Sequence, residues 1–228
     1  FGSYEWQTGK NAGGRNSLLN SYELGTQLAF KFPRFICPGV TRRRARGYQA
    51  STQFALDADW KNRSKFFNMV TFGFSGKYHW YRRETSQHDL TFFSLDFDRL
   101  NHTTATFDSI MNANPALYVS MRNQFIPSLS YTFTYQSRSW RTNPWWMQFS
   151  IKEAGNLTSS IYAIGGKGFN RRDKELLGNP FAQFIKVTAE LHKKYRLTPT
   201  SYLAARVFGG VIYSYGNSTS APYADQFY

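Results

Sequence analysis

Hydrophobic and polar residues alternate with a period of two in eight stretches of the chain. The clearest stretch is 125–136, where an apolar series is interleaved with Ser128, Ser130, Thr132, Thr134 and Gln136. Successive side chains of a β-strand point to opposite faces, so the alternation predicts strands with one apolar and one polar face. The predicted strands are 22–32, 50–60, 66–80, 93–98, 125–136, 145–152, 185–192 and 203–214. The expected fold class is all-β, with antiparallel strands.

The segments between these strands are predicted to alternate between short and long. Tight polar turns are expected at 61–65, 82–86, 138–143 and 196–200, several of them with Asn, Ser or Pro as turn residues. Long connections rich in Gly, Asn or charge are expected at 9–20, 99–123 and 156–180, the second with a short helix around 106–111. Within the last strand, Gly209 and Gly210 are expected to allow local bending.

Strand length and aromatic placement favour a membrane barrel over a soluble sheet, although both would show the same alternation. Many of the segments run about 10 to 14 residues, whereas soluble strands average about 5 to 6 and a tilted membrane strand needs about 9 to 11. Rings cluster at strand ends, where a bilayer meets water, as in Tyr78, Trp80 and Tyr81 or Trp140, Trp145 and Trp146. We therefore expect apolar side chains toward lipid and polar ones toward a wet lumen.

Composition sets limits on the partner and on redox chemistry. No run of about 18 apolar residues occurs, so a membrane-spanning helix is not expected. Lys and Arg outnumber Asp and Glu by 28 to 14, which favours an anionic partner such as phospholipid headgroups, lipopolysaccharide or nucleic acid. The single Cys37 excludes an internal disulfide. Both chain ends fall in aromatic stretches, and we interpret them as cuts in a longer protein, so the missing signal peptide is uninformative.

No motif in the chain points to catalysis, a cofactor or a metal. His79, His88, His102 and His192 lack metal-ligand spacing and are interpreted as lumen-facing polar residues. The Gly-rich stretch 165–174 lacks the order of a phosphate-binding loop and is interpreted as a mobile surface loop. The four N-x-[ST] triplets are attributed to chance, and a membrane-edge role is considered for the arginine run Arg42, Arg43, Arg44 and Arg46.

The amino-acid sequences of several segments resemble those of one family of membrane proteins. They are NSYELGTQLAFKFPRF at 20–35, NPALYVSMRNQFIPSLSYTFTY at 114–135, EAGN at 153–156, GNPFAQFIKVTAEL at 178–191, and 203–228 with its YGNS and APYADQFY. Together they resemble the BamA/TamA family of outer-membrane assembly proteins, most closely the versions found in Bacteroidetes. The resemblance is spread over nearly the whole chain.

The resemblance implies that residues 1–228 are part of one transmembrane antiparallel β-barrel domain in the bacterial outer membrane. The eight segments would be strands five to twelve of sixteen, and residues 1–6 the end of strand four. The periplasmic domains, first strands, sixth-loop motif and closing seam of the family are absent. Family members insert and fold β-barrel clients, or help export surface proteins, by templating client strands at that seam. The implied partners are lipid, lipopolysaccharide, unfolded outer-membrane clients and accessory assembly proteins.

In this scheme the chain is the barrel wall opposite the seam and acts as a scaffold. The charged residues expected to face the lumen are Glu23, Lys31, Asp57, Asp59, Lys77, Asp96, Lys152, Lys186, Glu190 and Arg206. Some of these charges are hypothesised to hold the sixth loop within the barrel. We expect no enzymatic activity, no cofactor and no nucleic-acid partner.

Two other function classes remain open from the residues alone. A passive pore or nutrient channel would need the same wall but no client seam. A basic soluble β-domain that binds nucleic acid would be soluble in water without detergent.

Overall fold

The computed structural model describes residues 2–5, 21–36, 50–63, 66–114, 118, 121–138, 142–166, 168–172, 174–222 and 225–227. Its main element is one nine-stranded antiparallel sheet in which every strand lies beside its predecessor in the sheet. The strands in order are β1 (Gly2–Glu5), β2 (Ser21–Phe32), β3 (Ala50–Arg63), β4 (Phe67–Arg83), β5 (Ser86–Thr103), β6 (Gln124–Gln136), β7 (Trp145–Ala154), β10 (Phe184–Arg196) and β11 (Tyr202–Ser214). A separate hairpin pairs β8 (Glu175–Leu176) with β9 (Asn179–Pro180).

The prediction of antiparallel β structure is confirmed, and each of the eight predicted segments coincides with a strand, except that the third begins one residue before β4, at Phe66. Residues 2–5, expected to end a further strand, form β1 and pair with β2. The sheet is open within the described residues, because β1 and β11 each pair on one side only.

β5 is much longer than its predicted 93–98 because a β-bulge shifts the phase of its alternation. Thr91 pairs with Ser130 and Ser94 pairs with Ser128, so Phe92 and Phe93 together lie opposite one residue of β6. Both rings lie on the apolar side, where Phe92 stacks on Tyr78 with centroids 4.4 Å apart. Two adjacent apolar residues interrupt a period-two pattern, although the strand itself continues.

Two short helices with described bounds lie between strands. The predicted helix is confirmed as α1 (Ala105–Ala113), where Thr104 caps the first turn by accepting the Phe107 amide at 3.4 Å. The second helix, α2 (Asn156–Ile164), was not predicted, since 156–180 was interpreted as a connection only. The helical spacing of its apolar residues was available in the sequence, at Leu157, Ile161 and Ile164.

The connections divide unequally between the two ends of the sheet. We name the end that holds both helices the helical end, with connections 104–123 and 155–183, and the opposite end the turn end, with connections 84–85, 137–144 and 197–201. The predicted alternation is wrong at two places: the tight turn between β3 and β4 lies at the helical end, and the long connection 33–49 lies at the turn end.

The described apolar cores are small and lie at the helical end. One combines Ile126, Ala154, Ala182, Phe184 and Ala221, with Ile212 packed against it. The other combines Phe107, Met111 and Met121 beneath α1, against Phe67 and Leu100. These clusters anchor the connections to the sheet and leave its broad apolar face uncovered.

Candidate functional site: the polar face of the sheet

The strand register gives the sheet two chemically different faces. The apolar face carries large hydrophobic side chains that are 50% to 69% exposed: Leu24, Leu28, Phe30, Leu56, Phe72, Leu203, Val207 and Val211. Exposure of apolar side chains on this scale is exceptional for a water-facing surface.

The opposite face, here the polar face, carries all ten residues singled out as lumen candidates. The pairing of β2, β3 and β4 places five of them on this face: Glu23, Lys31, Asp57, Asp59 and Lys77. Asp96 lies opposite Ile126 of β6. The pairing of β6, β7, β10 and β11 then places Lys152, Lys186, Glu190 and Arg206 on the same face. That this face borders a lumen stays a prediction.

Cross-strand polar pairs occupy the polar face. Lys61 Nζ lies 3.4 Å from Glu23 Oε1, and Gln27 donates to Asp57 Oδ1 at 2.5 Å. At the other side of the sheet, Arg206 donates to Glu190 Oε1 at 2.5 Å. Exposed pairs of this kind contribute little to stability. Lys31 and Lys77 lie on either side of Gln53 in the register.

Carboxylates gather near the middle of the polar face, around Gly73. Asp57 and Asp96 pair with Gly73 from either side, and a Cβ at that position would lie 2.6 Å from Asp96 Oδ1. Ser94 donates to Asp96 at 3.2 Å, and Thr71 donates to Asp98 at 2.8 Å. Within the described residues, no three His, Cys, Asp or Glu side chains are grouped to hold a metal ion.

A segment after β11, residues 215–222 and 225–227, packs over the polar face near the helical end. Lys152 donates to Asp225 Oδ1 at 2.7 Å, and Lys186 donates to the Asp225 carbonyl oxygen at 2.6 Å. Two of the ten candidates therefore meet on one acidic residue. Sequence reasoning missed Asp225 because it lies in an irregular segment, where periodicity gives no orientation.

The ring of Phe227 completes this contact and explains one of the two glycines in β11. A Cβ at Gly210 would lie 2.5 Å from Phe227 Cζ, whereas one at Gly209 would meet nothing within 4 Å. Lys186 Nζ lies 4.6 Å from the centroid of the same ring. Bending at Gly209 and Gly210 stays a prediction, and Gly210 in addition provides space for a docked side chain.

Gly210→Leu should release this segment, and Gly209→Leu should not. The new side chain at position 210 would occupy the space of the Phe227 ring, and overpacking of this kind costs about 1 to 3 kcal/mol. Hydrogen–deuterium exchange of the peptide containing 215–227 should rise in Gly210→Leu and stay at the wild-type rate in Gly209→Leu. Equal exchange in the two variants would contradict the docking role of Gly210.

A buried polar cluster, here the polar knot, ties α2, the segment before β10 and the segment after β11 together. It consists of Ser159, Lys174, Gln183 and Asn217, all at most 5% exposed. Asn217 donates to the carbonyls of Lys174 and Phe181 at 2.8 and 3.0 Å and accepts from the Lys174 amide at 3.1 Å. Ser159 donates to Gln183 Oε1 at 2.9 Å, and the backbone N–H of Asn217 donates to the same oxygen at 2.9 Å.

Lys174 is an unusual member of the polar knot because its ammonium group is buried. It donates to Ser159 Oγ at 2.9 Å and to the Phe169 carbonyl, and lies over the rings of Phe169 and Phe181. Burial lowers the pKa of Lys174 below its usual value. The Gly-rich stretch that was interpreted as a surface loop thus ends in a buried residue.

The four histidines are dispersed over the sheet. His79 and His192 lie on the polar face beside Asp89 and Glu190, at 2.7 and 2.6 Å. His88 instead stacks on Trp80 of the apolar face with centroids 5.1 Å apart, so its assignment to the polar side is wrong. His88 lies before the bulge in β5, whereas the predicted strand 93–98 was read from residues at and after it. Cys37 and the run Arg42, Arg43, Arg44 and Arg46 lie outside the described residues.

No family model and no curated protein matches the chain. Among the residues that the structure describes, no helix is both long and apolar enough to cross a membrane.

Proposed function

We propose that this chain forms part of the wall of a transmembrane β-barrel in a bacterial outer membrane, with its polar face toward the lumen. The observation that carries the proposal is the inverted distribution of polarity. Leucines on one face are half exposed, whereas Gln124, Lys174 and Gln183 are almost fully buried. A water-soluble sheet would cover its apolar face. In lipid, an uncovered apolar face carries no free-energy penalty.

The dimensions of the apolar face fit a bilayer. From Tyr22 to Phe32, ten residue-to-residue steps along β2 span about 34 Å, or about 25 Å along the membrane normal at a tilt of about 45°. Rings flank this band at both ends: Tyr22 contacts Trp60 at the helical end, with centroids 5.5 Å apart, and Tyr135 contacts Trp145 at the turn end, at 4.6 Å. Paired aromatic belts about this far apart are typical of membrane barrels.

The lengths of the connections orient the wall. Outer-membrane barrels have short periplasmic turns and longer surface loops. The two longest connections, 104–123 and 155–183, lie at the helical end, and three of the four turn-end connections are short, with 33–49 the exception. We therefore place the turn end in the periplasm and the helical end, with α1, α2 and the polar knot, at the cell surface. Strands β1 and β11 would need further partners, because an open strand edge in lipid leaves backbone groups without hydrogen bonds.

The specific function we propose is that of an assembly factor, which inserts and folds other β-barrel proteins or helps export surface proteins. Its support is the resemblance of five segments to the BamA/TamA family, together with the docked segment 215–227. Lys152, Lys186 and Asp225 hold that segment on the polar face, where it would narrow the lumen. A docked segment of this kind suits a scaffold better than an open pore. In this function the chain is the wall that anchors the barrel, and client strands pair elsewhere.

Reconstitution of the full-length protein in liposomes tests the function directly. We expect an unfolded β-barrel client to become heat-modifiable and protease-resistant faster than in empty liposomes. A control preparation of heat-denatured protein should give the empty-liposome rate. Steady ion conductance without acceleration would favour the passive pore, and solubility without detergent would contradict the membrane barrel altogether.

A further inference from the structure

At the turn end of the sheet, the described basic residues outnumber the described acidic ones. The basic residues of its rim are Arg34, Arg82, Arg83, Arg138, Lys193, Lys194 and Arg196. The described acidic residues of this end are Glu84 and Asp89, and Asp89 already accepts hydrogen bonds from His79 and Gln87. The helical end also carries basic residues, but three of them already contact acidic ones: Lys61 lies beside Glu23, and Lys152 and Lys186 contact Asp225. Within the described residues, the turn-end rim holds seven basic side chains against two acidic ones.

Several of these cations lie beside aromatic rings on the apolar face. Lys193 pairs with Trp145 across the strands, and its Nζ lies 5.2 Å from the centroid of Tyr195. Arg82 lies two positions after Trp80, at a bulge between Tyr81 and Arg83, and is exposed. A long cationic side chain whose stem lies along rings keeps its charged group at the level of lipid headgroups.

Aromatic contacts recur along this rim. Phe35 contacts Trp80 with centroids 6.0 Å apart, and Tyr135 contacts Trp145. Rings in such a belt lie at the boundary between acyl chains and headgroups. Cations at the same depth face the phosphate layer, where each contributes about 1 kcal/mol toward an anionic surface.

We infer that the turn-end rim, through Arg82, Arg138 and Lys193, binds the phosphate headgroups of anionic phospholipids. The inference rests on the proposed function, which places this end at the periplasmic leaflet. That leaflet is the phospholipid side of an outer membrane, so the partner is phospholipid and not lipopolysaccharide. The charge excess alone favoured phospholipid headgroups, lipopolysaccharide or nucleic acid. For this part of the surface, the inference selects phospholipid.

Electron spin resonance with labelled lipids tests the inference. The full-length protein is reconstituted in phosphatidylcholine vesicles that carry a trace of spin-labelled phosphatidylglycerol or spin-labelled phosphatidylcholine. We expect the motionally restricted fraction to favour phosphatidylglycerol by about fivefold or more, the factor given by one basic side chain near an anionic surface. The preference should decline as salt is added.

A matched pair of triple variants separates the rim from net charge. Arg82→Gln, Arg138→Gln and Lys193→Gln together should abolish the preference. Arg99→Gln, Arg171→Gln and Arg172→Gln remove the same charge from exposed positions at the helical end and should preserve it. Equal loss in both variants, or a wild-type preference that salt does not change, would overturn the inference.

The same spectra keep this inference apart from the proposed function. Restricted lipid with no preference between headgroups overturns the binding rim and leaves the membrane barrel in place. The absence of any restricted lipid overturns the barrel itself. Because the salt titration needs only the wild-type protein, poor folding of a variant does not remove the test.

Discussion

Leu28→Arg should destabilise the protein in a bilayer by about 2 to 4 kcal/mol, the cost of an arginine on the lipid face near the midplane of a membrane barrel. Leu28 lies halfway along β2, is 55% exposed on the apolar face, and pairs with Leu56 of β3. In water, the same substitution at an exposed position would be nearly neutral. The effect therefore measures the solvent of this face. Urea unfolding from vesicles, followed by tryptophan fluorescence, gives the free energy of unfolding.

The neighbouring residue provides the control. Gln27 is exposed on the polar face and donates to Asp57 at 2.5 Å, so Gln27→Arg would place a cation beside a carboxylate. We expect a change of about 0 to 1 kcal/mol, within the range for substitutions away from the core. If Leu28→Arg were as stable as Gln27→Arg, or improved solubility without detergent, the apolar face would not be in lipid.

The sheet could be predicted from the sequence because one periodicity determines both strand and face. In 125–136 every second residue is apolar, and in the structure that stretch is β6, with Ser130 and Lys152 on the same face. The ten charged candidates share one face for the same reason. A residue two positions along a strand returns to the same side whatever its neighbours are.

Prediction failed where the backbone departs from that period. The bulge at Phe92 and Phe93 placed two apolar residues on one side, so the alternation before it was out of phase and β5 was predicted too short. His88 is a polar residue type, but its position in β5 places it beside Trp80 on the apolar side. In α2, helical spacing was present in Leu157, Ile161 and Ile164 but was passed over in a segment with many turn residues.

The polar contacts of the helical end were beyond sequence reasoning because they join distant segments. Asp225 meets Lys152 across 73 positions of the chain, and Asn217 meets Lys174 across 43. Neither distance follows from periodicity or from local turn chemistry. Asn217 belongs to the YGNS motif, which is part of the resemblance. Nothing in the sequence indicates which groups its side-chain amide contacts.

Asn217→Ala should cost on the order of 3 kcal/mol, since it leaves several buried backbone groups without partners. The side-chain amide donates to the carbonyls of Lys174 and Phe181, and its oxygen accepts the Lys174 N–H. A buried group that loses its hydrogen bond costs about 1 to 3 kcal/mol. The loss should appear as a lower free energy of unfolding and as faster hydrogen exchange in 174–183 and 215–222 together, because Asn217 joins those segments. Thr219→Ala, at an exposed position two residues on, should leave both measurements unchanged. Faster exchange confined to 215–222 would mean that the two segments are stabilised independently, and the polar knot would then not join them.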